Sequence, residues 1–333
     1  MKKNTPLLLL ALVLLLVLML LLSVVLRFSG ATDNADPTEN TPTSPIVTDP
    51  PTDPPTDPPT DPPTDPPTEP PTEAPTAPPT DPNKEYVGTL YTRDELLAMP
   101  TTYEGYGPGF WDPGVRAKYA VWDQEKYAKY GANFIAPDNG NIYLTFDCGY
   151  EHYVTDASGN RNANTARILD TLKEKDVKGV FFVTMDFVKK EPGLVQRMID
   201  EGHAVGNHSN NHKRMSELSI DEMVYEVMSL HDYVKEHFGY TMTLFRPPEG
   251  NYSVQSLCVV QSIGYKTVHW SFAYGDYDTA NQPAIDTALN RVKNSHHSGA
   301  IYLLHAISET NATILPDVID FFRAQGYKLE LFQ

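Results

Sequence analysis

Between residues 142 and 331, short apolar runs alternate with amphipathic segments, and that alternation leaves the chain few architectures to choose from. The strand-like runs are 142–146, 180–184, 203–206, 243–245, 266–268, 300–304 and 327–331. Between them fall segments with helical periodicity at 165–175, 193–200, 220–238, 254–262, 284–293 and 315–324. Successive strands separated by helix-length crossovers pair in parallel, because a parallel pair cannot be joined by a hairpin. Seven such runs predict an α/β fold, a distorted or incomplete (β/α) barrel of about seven parallel strands. Two helix starts are marked: Ser219 with Glu222 forms a capping box, and Ser253 is placed as an N-cap.

The chain ahead of this pattern cannot build a core. Lys2 and Lys3 precede an unbroken apolar run, 6–26, long enough to cross a bilayer as a helix. Two lysines before it and one Arg27 behind it predict a cytoplasmic N-terminus with the rest of the chain outside. Residues 1–30 are therefore read as a membrane anchor, with a cleaved signal peptide as the alternative, since Ser29, Gly30 and Ala31 resemble a cleavage site. Residues 31–82 are dominated by Pro, Thr and Asp in a four-residue period and read as a disordered stalk. Polyproline II at ~3.1 Å per residue would let the Pro-rich part, 36–82, reach on the order of 140 Å. Residues 83–333 form the folded domain, opening with a Tyr-, Gly- and Trp-rich lead-in to residue 139.

A net charge of −17 argues against phosphate backbones and anionic lipid as partners, so no nucleic acid is expected. Nothing in the sequence marks an obligate protein partner. Two cysteines, Cys148 and Cys258, are too few for a disulfide framework.

In a β/α barrel the chemistry gathers where strands end. Here Asp147 and Cys148 follow the first run, and His208 and His212 the third. Arg246 follows the fourth, Asp276 lies past the fifth, and His305 closes the sixth. His208 and His212 stand four apart, which would place both imidazoles on one face if the segment were helical. Two neutral imidazoles form half a site for a divalent metal, zinc most readily, and a third donor such as Asp147 or Cys148 would be needed.

These residues sit in motifs that resemble the polysaccharide deacetylase family, also called NodB-homology or carbohydrate esterase family 4. The family's TFDDG motif appears as Thr145-Phe146-Asp147-Cys148-Gly149, and HSxxH is His208-Ser209-Asn210-Asn211-His212. RxPxG is Arg246-Pro247-Pro248-Glu249-Gly250; the fourth motif is similar to Trp270 through Asp276, and LLH is Leu303-Leu304-His305. Gly149–Glu151, Arg246–Pro248, Trp270–Ala273 and Leu303–Ser308 resemble most the delta-lactam-biosynthetic, muramic-acid de-N-acetylases. The resemblance implies hydrolysis of N-acetyl groups on a cell-wall amino sugar, with peptidoglycan as the glycan partner and one divalent metal, Zn²⁺ by preference, as cofactor. By the same resemblance Asp147 is the general base, and His305 the acid that protonates the leaving amine. Arg246 and Asp276 would orient them, while His208 and His212 bind the metal. The backbone at Glu249 would help hold the oxyanion, and Trp270 and Leu304 would border the acetyl pocket.

Two positions depart from the pattern. Cys148 replaces a metal-binding Asp, and three readings stay open: a thiolate ligand, an inert thiol, or a disulfide to Cys258. Glu249 replaces an arginine of the muramic-acid group, so an anionic sugar would be repelled there. Chitin-like oligomers or acetylated xylan remain alternative substrates, and a silent wall-binding domain remains an alternative to an enzyme.

Overall fold

A computed structural model describes residues 90–333. The anchor and the stalk lie outside the described residues. Among the described residues no helix is long and apolar enough to cross a membrane.

The strands are β1 (Ala132–Asn133), β2 (Asn141–Cys148), β3 (Tyr153–Thr155), β4 (Arg161–Ala163), β5 (Val180–Val183), β6 (Ala204–Asn207), β7 (Leu244–Phe245), β8 (Lys266–Val268), β9 (Ala300–His305) and β10 (Lys328–Leu329). The helices are α1 (Arg93–Leu97), α2 (Lys118–Tyr127), α3 (Asn164–Glu174), α4 (Met185–Lys190), α5 (Pro192–Asp200), α6 (Ile220–Phe238), α7 (Val254–Ser262), α8 (Ile285–Lys293) and α9 (Glu309–Ala324).

Eight strands form one sheet in the order β1-β8-β7-β6-β5-β2-β10, with β9 on β2, and every pairing in it is parallel. A parallel bridge from Phe272, just past β8, to Tyr302 on β9 draws the two sides together. The architecture is an incomplete, distorted α/β barrel. All seven expected strands are present. The eighth, β1, falls in the expected lead-in, where two paired residues are too few to leave a periodic signature. The antiparallel β3–β4 hairpin is also additional; its turn is closed by Asp156, which accepts from the backbone N–H of Ser158 and Asn160.

Strand alternation sorts the core into two layers. On β2 the side chains of Ile142, Leu144, Phe146 and Cys148 enter the layer beneath the helices, while Tyr143 enters the barrel interior. β5 divides likewise, with Phe181 and Val183 under the helices and Val180 and Phe182 inside. Strands buried on both faces read as continuous apolar runs, which is the pattern seen in the sequence.

The caps hold as expected at α6, where Ser219 and Glu222 bond reciprocally, and at α7, where Ser253 accepts from Ser256. One boundary moves: α9 starts at Glu309, capped by Ser308, and runs through Pro316 instead of beginning near residue 315.

Candidate active site

Asp147 is the penultimate residue of β2, on its inner face, with only 6% exposure. Arg246, fully buried just past β7, donates from Nη1 to Asp147 Oδ1 at 2.8 Å. The remaining guanidinium bonds go to Thr145 Oγ1 (2.7 Å) and to the carbonyls of Val268 and His269 (both 3.1 Å). A guanidinium held on four acceptors fixes the carboxylate it faces. Burial pushes the Asp147 carboxyl up, but the Arg246 charge and the neighbouring His208 and His305 outweigh it and hold the group below its ordinary value. It is a buried, ionised carboxylate.

His208 follows β6, and its Nδ1 lies 2.8 Å from the Arg246 carbonyl. A carbonyl only accepts, so Nδ1–H donates and Nε2 keeps its lone pair, 3.5 Å from Asp147 Oδ2. Burial lowers the imidazole to about 4, so the ring is neutral near pH 7. His212 lies 4.9 Å away between ring centroids, at 78°. The segment joining them is a loop and not the helix that the four-residue spacing suggested. Ser209 (φ 69°) and His212 (φ 56°) both adopt left-handed backbone, which folds the loop tightly enough to bring the rings together. Ser209 Oγ accepts from the His212 N–H at 2.9 Å. Buried Glu226 on α6 accepts from the Asn211 backbone and side-chain N–H groups at 2.7 and 2.8 Å. Glu226 has no motif of its own; only its place on the inward face of an amphipathic helix could have pointed to it.

His305 ends β9 beside Asp147. Its Nδ1 is 2.7 Å from Asp276 Oδ1, and its backbone N–H donates to Asp276 Oδ2 at 2.8 Å. Asn311 donates to the same carboxylate at 2.5 Å and in turn accepts from Tyr274. Burial by itself would lower His305; the hydrogen bond and charge of Asp276, with Asp147 beyond, prevail and raise it. Asn311 was missed because it lies in the first turn of α9, ahead of the expected helix start.

Two expected site residues point elsewhere. Cys148 is fully buried among apolar side chains on the face of β2 opposite Asp147, with Sγ 4.0 Å from the Phe146 carbonyl. Burial raises its thiol well above the ordinary value, so it is a neutral thiol, and both cysteines are free. Leu304 likewise packs in the layer under the helices. The two-residue period puts Leu303 on the face of His305 instead.

Trp270 is half-buried against Gly250, where an added Cβ would come within 2.5 Å of the indole and φ is +63°, so only glycine fits. The Tyr106 hydroxyl donates to the Trp270 carbonyl. Glu249, also left-handed at φ 55°, turns its carboxylate outward to Arg214 Nε at 2.8 Å.

Among the described residues no three His, Cys, Asp or Glu side chains already converge around a cation position. The donor chemistry of the pair nevertheless fits a divalent metal: neutral His208 offers an oriented Nε2, His212 stands beside it, and the ionised Asp147 carboxylate lies 3.5 Å from that Nε2.

This combination of half-open α/β barrel and strand-end carboxylate–histidine site defines a carbohydrate-esterase class. The chain belongs to the polysaccharide deacetylase family, hydrolases of N-acetyl amide bonds; the family pattern "Polysaccharide deacetylase" matches residues 135–268. It is 41% identical over 56% of its length, and 67% of the relative's, to the peptidoglycan-N-acetylmuramic acid deacetylase PdaA of Bacillus subtilis. It is 34% identical to the peptidoglycan-N-acetylglucosamine deacetylase PgdA of Listeria monocytogenes over 58% of this chain and 38% of that one. The solved structure of B. subtilis PdaA, a family 4 carbohydrate esterase, superposes with a TM-score of 0.62 at 34% identity, covering 70% of this chain and 96% of that one.

Proposed function

We propose that the chain removes N-acetyl groups from amino sugars of cell-wall peptidoglycan, with Asp147 as base and His305 as acid. The observation that carries this reading is the pairing of a buried ionised carboxylate with a raised imidazole at adjacent strand ends. An amide is a poor electrophile, water a poor nucleophile, and an amine leaves only when protonated. Asp147 Oδ2, the oxygen not held by Arg246, accepts the proton of the attacking water. His305 delivers a proton from Nε2 to the departing nitrogen, because Nδ1 is committed to Asp276. The products are acetate and a free amine. Arg246 and Asp276 keep the two groups aligned. Trp270, with Leu303 in place of Leu304, borders the space for the acetyl methyl, and the backbone at Glu249 meets the developing oxyanion.

His208 and His212 would hold the divalent metal, zinc by preference, with water completing the set while Asp147 serves as base. When bound, such an ion polarises the acyl oxygen and lowers the pKa of water. The names of the 41% and 34% relatives support peptidoglycan as substrate, and the first of them supports the muramic residue as the sugar that reacts. A chito-oligomer would meet the same chemistry. Residues 6–26 anchor the chain to the cell membrane, with the catalytic domain carried outside on the stalk. Acetate release from purified wall, compared with N-acetylglucosamine oligomers and acetylated xylan, tests the substrate. Release from the oligomers or xylan but not from wall would contradict it.

A further inference from the structure

The loops that carry His212 and Arg246 also wall a cavity of about 300 Å³. That is the low end of the ~300–1,000 Å³ typical of small-ligand pockets, and it suits one sugar ring. Tyr103 and Thr101 of the N-terminal lead-in form one wall, outside the stretch matched by the family pattern. Tyr103 is 54% exposed, leaving an aromatic face of the kind that stacks on a pyranose. The lead-in is pinned beside it, where the Glu104 N–H donates to the Tyr252 carbonyl at 3.0 Å. Ser216 also lines the cavity, its backbone N–H donating to Asn251 Oδ1 at 2.8 Å.

The charge of the lining is specific. Arg214 is its single cation, and it is already engaged by Glu249 at 2.8 Å and by Glu217 at 3.5 Å. One guanidinium facing two carboxylates leaves the cavity with a net negative wall and no spare cation. A sugar carrying a carboxylate would meet two like charges there, whereas an uncharged sugar would meet a ring face and hydroxyl donors.

We propose that this cavity is a subsite for an uncharged sugar of the same glycan, next to the sugar whose acetamide reacts, and that Glu249 and Glu217 turn anionic sugars away from it. The assignment rests on the glycan-deacetylase reading above. In a strand where acidic and neutral amino sugars alternate, it would set which of the two lies beside the reacting unit.

The test uses the full chain with wall glycan strands stripped of peptide, bearing free lactyl carboxylates, and the same strands methyl-esterified. Binding is measured by titration calorimetry, and acetate release is assigned to the acidic or the neutral amino sugar by mass analysis of the products. On the acidic strands the parent should deacetylate the acidic unit about tenfold more than the neutral one, the scale of one unfavourable exposed charge contact in the wrong register, and esterification should narrow that ratio. Glu249→Gln should narrow that ratio to about twofold or less, by removing one of the two like charges. Tyr103→Ala should raise KM on both strands while leaving kcat in place. A parent without charge preference, or a preference untouched by Glu249→Gln, overturns the subsite. Strand binding that is weakened by Tyr103→Ala, with no acetate released by the parent, would support the subsite and count against the deacetylase reading instead.

Discussion

Asp147 and His305 are direct register partners across the parallel β2–β9 pair, so the proposed base and acid are fixed by one backbone ladder. Each is then aimed by a second residue from a different loop, Arg246 for the carboxylate and Asp276 for the imidazole. The strands set the spacing, and the loops set the protonation states.

Asp147→Asn keeps an acceptor for Arg246 but removes the base. Turnover is expected to fall roughly 10²–10⁴-fold, the usual scale for a positioned acid or base. Metal content should stay near that of the parent, measured by atomic emission. Loss of the metal in this variant would move Asp147 from base to ligand.

Arg246→Met would leave the buried Asp147 carboxylate without its partner. Removing one member of a buried pair costs about 3–5 kcal/mol, and chemical denaturation should show a loss of that order. A loss below about 1 kcal/mol would put the pair in the class of exposed ion pairs.

Asp276→Asn tests the raised His305. Because the carboxylate stabilises the imidazolium, its removal should lower the His305 pKa and shift the alkaline limb of kcat against pH downward. The linkage has a fixed sign: a raised histidine contributes stability that is fully present below its unfolded value and lost as pH rises through the folded one. An alkaline limb unmoved in this variant would mean that another group acts as acid.

Much of this fold is legible in the sequence because strands buried on both faces leave uninterrupted apolar runs, and the α6 and α7 caps have short local signatures. The site is legible as a set of strand ends but not as directions. Cys148 and Leu304 each adjoin a site residue in sequence, and the two-residue strand period sends both to the opposite face. His208 and His212 do come together, through left-handed loop residues that four-residue spacing cannot reveal. Asn311 and Glu226 reach the site from helices, where burial and not motif selects them.

Cys148→Ala follows from that placement. With the thiol in the apolar layer, bound metal should be unchanged, while stability falls by about 1 kcal/mol for the lost packing. The native thiol should also resist alkylation in the folded protein, since burial keeps it neutral. Weakened metal binding in this variant would restore the cysteine as a ligand.

The central claim is that the His208–His212 pair and the Asp147–His305 pair act together as a metal-assisted amide hydrolase. The most direct measurement is acetate release from purified peptidoglycan by the parent, His212→Ala and His305→Ala, with metal content determined on the same samples. The account predicts a metal-bearing, active parent, a His212→Ala variant that loses both metal and activity, and a His305→Ala variant that keeps the metal but loses activity. Full acetate release by a metal-free His212→Ala protein would contradict it.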